Sequence, residues 1–441
     1  MRYSISELED FCQSVLEQAK ALGATEAEVS ASCDVGFTAS ARLGAVENIE
    51  HHQDYGIGLT VYVGKKTGTA STSDLSPAAV SALVNKAVAI AKYTQDDAYN
   101  GLAEVDWLAT AIPDLSLDHP WQITPTEAIE RALVCEQHAL AYDPRITNSE
   151  GVTIDTGRSL SVYANSHDFH GGYQKTLHQA SCSVVAVAND AMQRDSDYTV
   201  ARDAADLLDL KAVAESAAQK TVQRLGARKI STCKVPVIMR ADLARGLWRT
   251  LMQAMTGSAI YRHSSFLEGK LQQRILPEFI TLSQRPHLLK GLASEPFDDD
   301  GVATQDIDFV HNGLFNSYIM GTYSARKLGM RSTGNAGGVQ NILVSHGDKN
   351  LEQLCNDMGT GLLVTEMIGQ GVNLVTGDYS RGAFGFWVEN GVIQHPVEGI
   401  TVAGNLNDMF ANVVAVGNDI DKRGSIQSGS ILLEEMTIAG E

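Results

Sequence analysis

The sequence predicts an α+β chain in two parts, an N-terminal domain of sheet plus helices over residues 1–228 and a C-terminal domain, mainly antiparallel and curved or barrel-like β, over 229–441. Three observations carry this reading. A chain of 441 residues with 44% hydrophobic content outgrows a single core, which stops enlarging at roughly 250–300 residues. Helix-period and strand-period segments alternate as far as a long alanine-rich stretch, Asp203 to Arg228, and the boundary falls just after it, at 226–233. Beyond it strands dominate, and Asn312-Gly313 and Asn390-Gly391 interrupt extended runs. Asn-Gly is a strong short-range signal of an antiparallel hairpin, because both turn residues must take positive φ.

The elements follow in order. Ser6-Glu-Leu-Glu9 reads as a capping box, and Leu8, Phe11, Cys12, Val15, Leu16 and Ala19 form one stripe of a helix ending near Gly23. Alternation over Glu26–Ala41 and Ile57–Val63 reads as strand, the second segment turning through Gly64–Gly68 into Thr69–Thr72 as a hairpin. Ser76-Pro77 opens a helix with Val80, Leu83, Val84, Ala87 and Val88 on one face, and Thr124-Pro125 opens another. In both, proline occupies the first helical position, where its missing N–H is not needed. From Ile146 to about Val200 the chain is extended, and the alanine-rich segment reads as one long helix. Lys234–Met239 reads as a strand running straight into a helix that carries Arg240 and Arg245, and Ile431–Ile438 as a final core strand.

Composition excludes several function classes. With 53 acidic against 34 basic residues, the net charge is −19, and no Lys/Arg block could neutralise phosphates, so no nucleic-acid partner is expected. No apolar run approaches the ~20 residues that span a bilayer, and no basic-then-apolar leader is present, so no membrane partner is expected and the predicted location is cytoplasmic. The six cysteines are scattered without a Cys-x-x-Cys pair, which reads as buried thiols in a reducing compartment.

Candidate chemistry is sparse. His167-Asp-Phe-His170 lies in a segment read as extended, where residues three apart point to opposite faces and cannot converge on one metal. His51-His52 reads as a solvated strand end. Phe297-Asp-Asp-Asp-Gly301 offers clustered oxygen ligands of the kind hard cations take, or simply an acidic turn entering a strand. Leu328–Gly338 holds four glycines with Ser332, Thr333 and Asn335. It reads either as a mobile surface loop or as main chain that something approaches closely. No nucleophile elbow, phosphate-binding loop or His-Glu-x-x-His run occurs.

Several segments together resemble the PmbA/TldD family of peptide-maturing metallopeptidases, in its PmbA (TldE) branch, over nearly the whole chain. They are Tyr55-Gly-Ile-Gly-Leu59, Ala70-Ser-Thr-Ser-Asp-Leu75, Asp298-Asp-Asp-Gly301, Leu328-Gly-Met-Arg-Ser-Thr-Gly-Asn335, Gly371-Val-Asn-Leu-Val-Thr-Gly-Asp378, Trp387-Val-Glu-Asn-Gly391 and Val416-Gly-Asn-Asp419. In the TldD branch the resemblance implies a His-Glu-x-x-x-His helix and a later cysteine, which together supply zinc ligands and a general base. By position those sites here are Arg240, Ala241, Arg245 and, within a residue or two, Gly382. Arginine has no lone pair for a metal.

What the resemblance implies is therefore a chain with no catalytic residue and no cofactor of its own. It would be paired with a TldD-type catalytic subunit that holds the zinc, and would shape the cleft by which unfolded peptides such as leader segments or antitoxins reach it. Addition of an extended peptide to a sheet edge would hold such substrates by backbone rather than sequence. Arg240, Arg245, Arg331, Ser332, Thr333 and Asn335 are the candidate cleft or interface residues. The two helix arginines make either ordinary surface salt bridges or pairs inside a cleft or subunit interface. A homodimer in the partner's absence is left open. Two alternatives stand beside this reading. One is a self-sufficient metallohydrolase built on Asp298–Asp300 with His263, His311 or His346. The other is a non-enzymatic binding module for a cytoplasmic protein, in line with descriptions of the family as a modulator of DNA gyrase.

Overall fold

A capping box opens the first helix, two residues earlier than expected. In the computed structural model, which describes residues 3–189 and 191–440, helix α1 spans Ile5–Ala21. Ser4 Oγ accepts from the Glu7 N–H at 3.3 Å, and the Glu7 carboxylate accepts from the Ser4 N–H at 2.8 Å. Ser4/Glu7 and Ser6/Glu9 fit the motif equally. Strands β1 (Glu26–Arg42), β2 (Ala45–Val63) and β3 (Lys66–Thr72) follow, then helices α2 (Pro77–Tyr93) and α3 (Pro125–Ala141). Strands β4 (Ile146–Asn165), β5 (His170–Ala188) and β6 (Ala191–Ala201) and helix α4 (Leu210–Gln223) complete the first half. The alanine-rich stretch is thus not one long helix. A short turn at Ala204–Asp206 precedes it, and α4 starts afresh where the Asp209 carboxylate caps the Lys211 N–H at 2.9 Å.

The six strands form one antiparallel sheet in the order β3-β2-β1-β4-β5-β6. Strand period places Val29, Ala31 and Cys33 of β1 on the same side as Phe37, Ala39 and Ala41. The first three pack in a core with α1 and α2, the last three with α3 and α4. All four helices therefore cover one face of the sheet. β1 matches the alternation to within a residue, but β2 is much longer than expected, because the two join through Leu43-Gly44 with φ of 51° and 74°, a tight hairpin turn in which leucine takes the strained left-handed position.

The second half contains β7 (Cys233–Met239), α5 (Ala241–Ala254), α6 (Gly257–Tyr261), β8 (Leu282–Gln284), β9 (Ile307–His311), β10 (Leu314–Phe315), α7 (Thr322–Leu328), β11 (Ile342–Val344) and α8 (Leu351–Met358). After these come β12 (Gly361–Ile368), β13 (Asp378–Glu389), β14 (Val392–Asn405), α9 (Leu406–Ala411), β15 (Val413–Val416), β16 (Ile426–Gln427) and β17 (Ile431–Ala439). Strands β14, β13, β12, β7 and β17 pair in sequence, and β14 also pairs with β17. A closed five-stranded barrel results, antiparallel except for β7 beside β12. The expected Asn-Gly hairpins are β9–β10 and β13–β14, and in each the turn pair has two positive φ angles. Among the described residues no helix is long and apolar enough to cross a membrane.

Helix α5 fills the space between the barrel and the five-stranded sheet β10-β9-β8-β11-β16. Its Ala244, Leu247, Trp248, Leu251 and Met252 recur at helical spacing and are buried together. Trp248 donates its Nε1–H to Ser428 Oγ at 2.8 Å and stacks on Phe410 with centroids 6.0 Å apart. Replacing Trp248 by alanine removes the indole from this filling and leaves Ser428 without its donor. A destabilisation of about 3–5 kcal/mol is expected, read as a lower urea midpoint for the second half.

Candidate functional site

The arginine helix begins without a loop. β7 ends at Met239, and Arg240 is the N-cap of α5 with φ −58° and ψ 151°, so it lies outside the helix proper. Its Nε and Nη2 donate to the two Asp242 oxygens, both at 2.7 Å, and Nη2 also to the Thr365 carbonyl at 3.3 Å. Burial opposes this charge, but the Asp242 carboxylate outweighs it and holds the guanidinium above its ordinary pKa. Arg245 points elsewhere. Its Nη1 donates to the Tyr198 hydroxyl at 2.9 Å and the Arg423 carbonyl at 3.1 Å, with Asp421 4.0 Å away.

Arg423 completes the cluster. Its guanidinium grips Asp421 through Nε and Nη2 at 2.9 and 3.0 Å, reaches Asp197 at 2.7 Å, and lies 4.6 Å from the Tyr198 ring centroid. Lys220 approaches Asp197 at 3.2 Å. Burial pushes both aspartates upward, but the ion pairs and hydrogen bonds outweigh it and hold each carboxyl below its usual range. The helix arginines are thus paired within the chain, and Arg240, Asp421 and Arg423 line a cleft of about 450 Å³. Arg245 and Arg423 tie β6 to the 419–423 loop.

Zinc does not fit the corresponding positions. Arg240 and Arg245 offer no lone pair, Ala241 is a buried methyl whose N–H donates to Ser430 Oγ at 3.0 Å, and Gly382 has no side chain. Gly382 sits on β13 opposite Ile368, four residues along β12 from Val364, whose carbonyl accepts the Arg240 N–H. That is about 13 Å of strand. Among the described residues no three His, Cys, Asp or Glu side chains converge as metal ligands.

The glycine-rich segment 328–338 lies elsewhere. No hydrogen bond or ion pair among the described residues joins Arg331, Ser332, Thr333 or Asn335 to the helix arginines. Ser332 and Thr333 are buried with their hydroxyls on the Met320 carbonyl, and Asn335 is buried with its amide N–H groups donating to Gln284 and Gln340 oxygens and the Gly338 carbonyl. Arg331 alone reaches outward, to Asp106. The close approach to this main chain is made by the chain itself. Ala336 N–H donates to Asp298 at 2.9 Å, and the Asp299 carboxylate lies 2.3 Å from where a side chain at Gly337 would begin.

Asp298 and Asp299 in turn border a cleft of about 800 Å³ between the helix-free face of the six-stranded sheet and the 295–299 segment. Glu28 lies at one end, accepting from the Tyr62 and Tyr163 hydroxyls at 3.0 and 2.8 Å. Burial, then Asp300, pushes its carboxyl up to about 7. Burial and Asp300 likewise raise Asp298, against the pull of backbone N–H groups of Asp300, Val302 and Ala336. Asp298, and Asp300 through the Thr322 N–H at 2.8 Å, therefore turn their carboxylates to backbone. His263 contacts Glu268, His311 contacts Asp308 and His346 the Gly347 carbonyl, none of them Asp298–Asp300. His167 and His170 flank a tight turn with Asp168 at φ 62°, not the extended run expected. His52 is mid-strand, paired with Gly36. The cleft residues Glu28, Tyr163, Lys175 and Glu295 were not singled out from sequence, although Glu28-x-Ser30-x-Ser32-x-Asp34-x-Gly36-x-Thr38 is a period-two polar run that marks one exposed sheet face.

Comparison with known proteins gives three family matches covering most of the chain. They are PmbA/TldA metallopeptidase domain 1 over residues 27–91, the central domain over 118–225 and the C-terminal domain over 232–440. Metalloprotease PmbA of Escherichia coli O157:H7 is 48% identical over 415 residues, spanning 94% of this chain and 92% of that protein. The Haemophilus influenzae PmbA homologue is 47% identical over 435 residues, 98% and 96% of the two chains. A crystal structure from Bacteroides thetaiotaomicron, provisionally assigned as a modulator of DNA gyrase, superimposes with a TM-score of 0.93 at 27% identity, covering 99% of both chains. TldE from Thermococcus kodakarensis shares the fold, with a TM-score of 0.85 at 20% identity over 98% of this chain and 100% of that one.

Two outcomes follow from the charges. Arg423→Ala leaves Asp197 with Lys220 and Asp421 with only the more distant Arg245, and is expected to cost about 1–3 kcal/mol in a denaturant titration at pH 7. Both carboxyls are depressed in the fold, so this stabilisation is present above the unfolded carboxylate pKa of about 4 and fades as pH falls through the lower folded values. The gap between wild type and variant should narrow below pH 4. Glu28 has the opposite sign. Its folded pKa is raised, so its contribution is full below about 4 and is lost as pH rises toward 7. Glu28→Gln should therefore gain thermal stability relative to wild type on moving from pH 5 to pH 8.

Proposed function

The chain belongs to the PmbA/TldD metallopeptidase family, and from that premise we propose that it serves as a PmbA/TldE-type subunit without a zinc site of its own. A TldD-type partner carries the zinc and cuts, while this chain shapes the cleft through which an unfolded peptide reaches it. The observation that carries the reading is the fate of the helix positions. Arg240 and Arg245 are committed to Asp242, Tyr198 and Asp421, and Ala241 and Gly382 offer nothing to a metal or a water. A zinc-bound water owes its acidity to the metal, and guanidinium groups cannot replace that effect.

Substrates of such a complex are disordered chains, such as leader segments of ribosomally made peptides or labile antitoxins, because only an extended chain can enter a cleft between subunits and be held by its backbone. A metallohydrolase centred on Asp298–Asp300 has no support in the side-chain geometry, since the three candidate histidines are hydrogen-bonded elsewhere and the Asp298 oxygens are taken by backbone N–H groups. The purified chain should carry no stoichiometric zinc by metal analysis and leave an unstructured fluorogenic peptide intact. Adding the TldD-type subunit should restore cleavage. One tightly held zinc per chain, or cleavage by the chain alone, would overturn the proposal.

A further inference from the structure

We propose that the helix-free face of the N-terminal sheet is a groove for an extended polypeptide segment bearing basic side chains. This rests on the reading above only for the presence of unfolded peptides. Residues Glu28, Ser30, Ser32, Asp34, Gly36 and Thr38 of β1 share that face, since Val29, Ala31, Cys33 and Phe37 between them are buried beneath the helices. Ten residues of strand run about 33 Å, the length of a roughly ten-residue extended peptide. The cleft at Glu28 and a second cavity of about 380 Å³ at His52 share Lys175, and the chain segment from Leu292 to Asp299 lines both. The face is therefore walled along one side.

Its floor suits a main chain. Gly56 and Gly58 of β2 face Ser32 and Ser30 across the register, and a side chain added at either would meet only a serine hydroxyl, at 3.1 and 3.0 Å. Glycine inside a strand weakens it and marks close approach of another backbone. The hydroxyls of Ser30, Ser32, Ser159 and Ser161 make no hydrogen bond among the described residues, leaving them for peptide amides.

Its charge selects the occupant. Asp34 and Asp54 are direct partners across β1 and β2, and among the described residues neither carboxylate has an ion pair or hydrogen bond. Like charges directly opposite are destabilising, and a cationic side chain lying between them relieves that. Asp299 is likewise without a hydrogen bond or ion pair to its carboxylate among the described residues. Asp155 and Glu295 add to the acidity, against Lys175 in both cavities and Arg202 in the second, whose guanidinium is turned to the Thr176 and Leu292 carbonyls. No three of the described acids converge as metal ligands, so the charge is spread along a line, matching a chain with spaced cations rather than an ion.

The test is fluorescence anisotropy on the full chain alone, with labelled ten-residue Lys-Ser, Glu-Ser and Gly-Ser peptides at low and moderate salt. The Lys-Ser peptide should bind and weaken with salt, and Asp34→Asn with Asp54→Asn should weaken it about tenfold. Gly58→Val, which raises a branched side chain from the floor, should abolish binding while the melting curve stays cooperative. Equal binding of the Glu-Ser peptide, affinity unchanged in both variants, no binding by wild type, or spermine displacing the peptide at equal charge concentration would each overturn the proposal. Because neither zinc nor partner is present, failure here leaves the two-subunit reading standing, and zinc found on the chain leaves this binding result standing.

Discussion

Arg423 centres the charge cluster that, beside the Arg326–Glu104, Lys290–Asp203 and Arg224–Glu366 pairs, holds the two halves together. Its guanidinium satisfies Asp421 on its own loop and Asp197 on the last strand of the N-terminal sheet, with the Tyr198 ring beneath it. Three part-buried charges in one place are costly to desolvate, and each is tolerable only because the others are present. The cluster is therefore a fixed tie. Arg245 joins it through Tyr198, so helix α5 is bound into the same cluster.

The same economy explains why the acidic turn and the glycine-rich segment belong together. Asp298 needs donors, and the main chain at Ala336 provides one because Gly337 leaves room for the Asp299 carboxylate. The polar groups of 328–338 are consumed in holding Met320 and Gln284, and the segment acts as a brace behind the cleft wall. What faces the cleft is the sheet, whose helices all lie on its other side.

Much of the fold was legible in the residues. The stripe of α1, the proline-started α2 and α3, both Asn-Gly hairpins and the closing strand at 431–439 each follow from local rules of spacing and turn chemistry. The length of β2 was not, because Leu43-Gly44 lacks the usual turn residues and the stretch of β2 before Gly56 is mostly exposed, giving no apolar alternation to read. The alanine-rich helix was overextended, since alanine is compatible with helix everywhere and only the Asp209 cap fixes its start.

The sequence by itself determined the family, the two classes of architecture and the absence of metal-donor side chains at Arg240, Ala241, Arg245 and Gly382, because side-chain chemistry is a property of identity alone. Tertiary structure decided whom those arginines serve, that Ser332, Thr333 and Asn335 turn inward, and that Glu28, Lys175 and Asp299 line one cleft. Those facts depend on contacts between residues tens to hundreds of positions apart, such as Arg423 with Asp197. Such contacts are set by which surfaces bury together, and no local pattern encodes that.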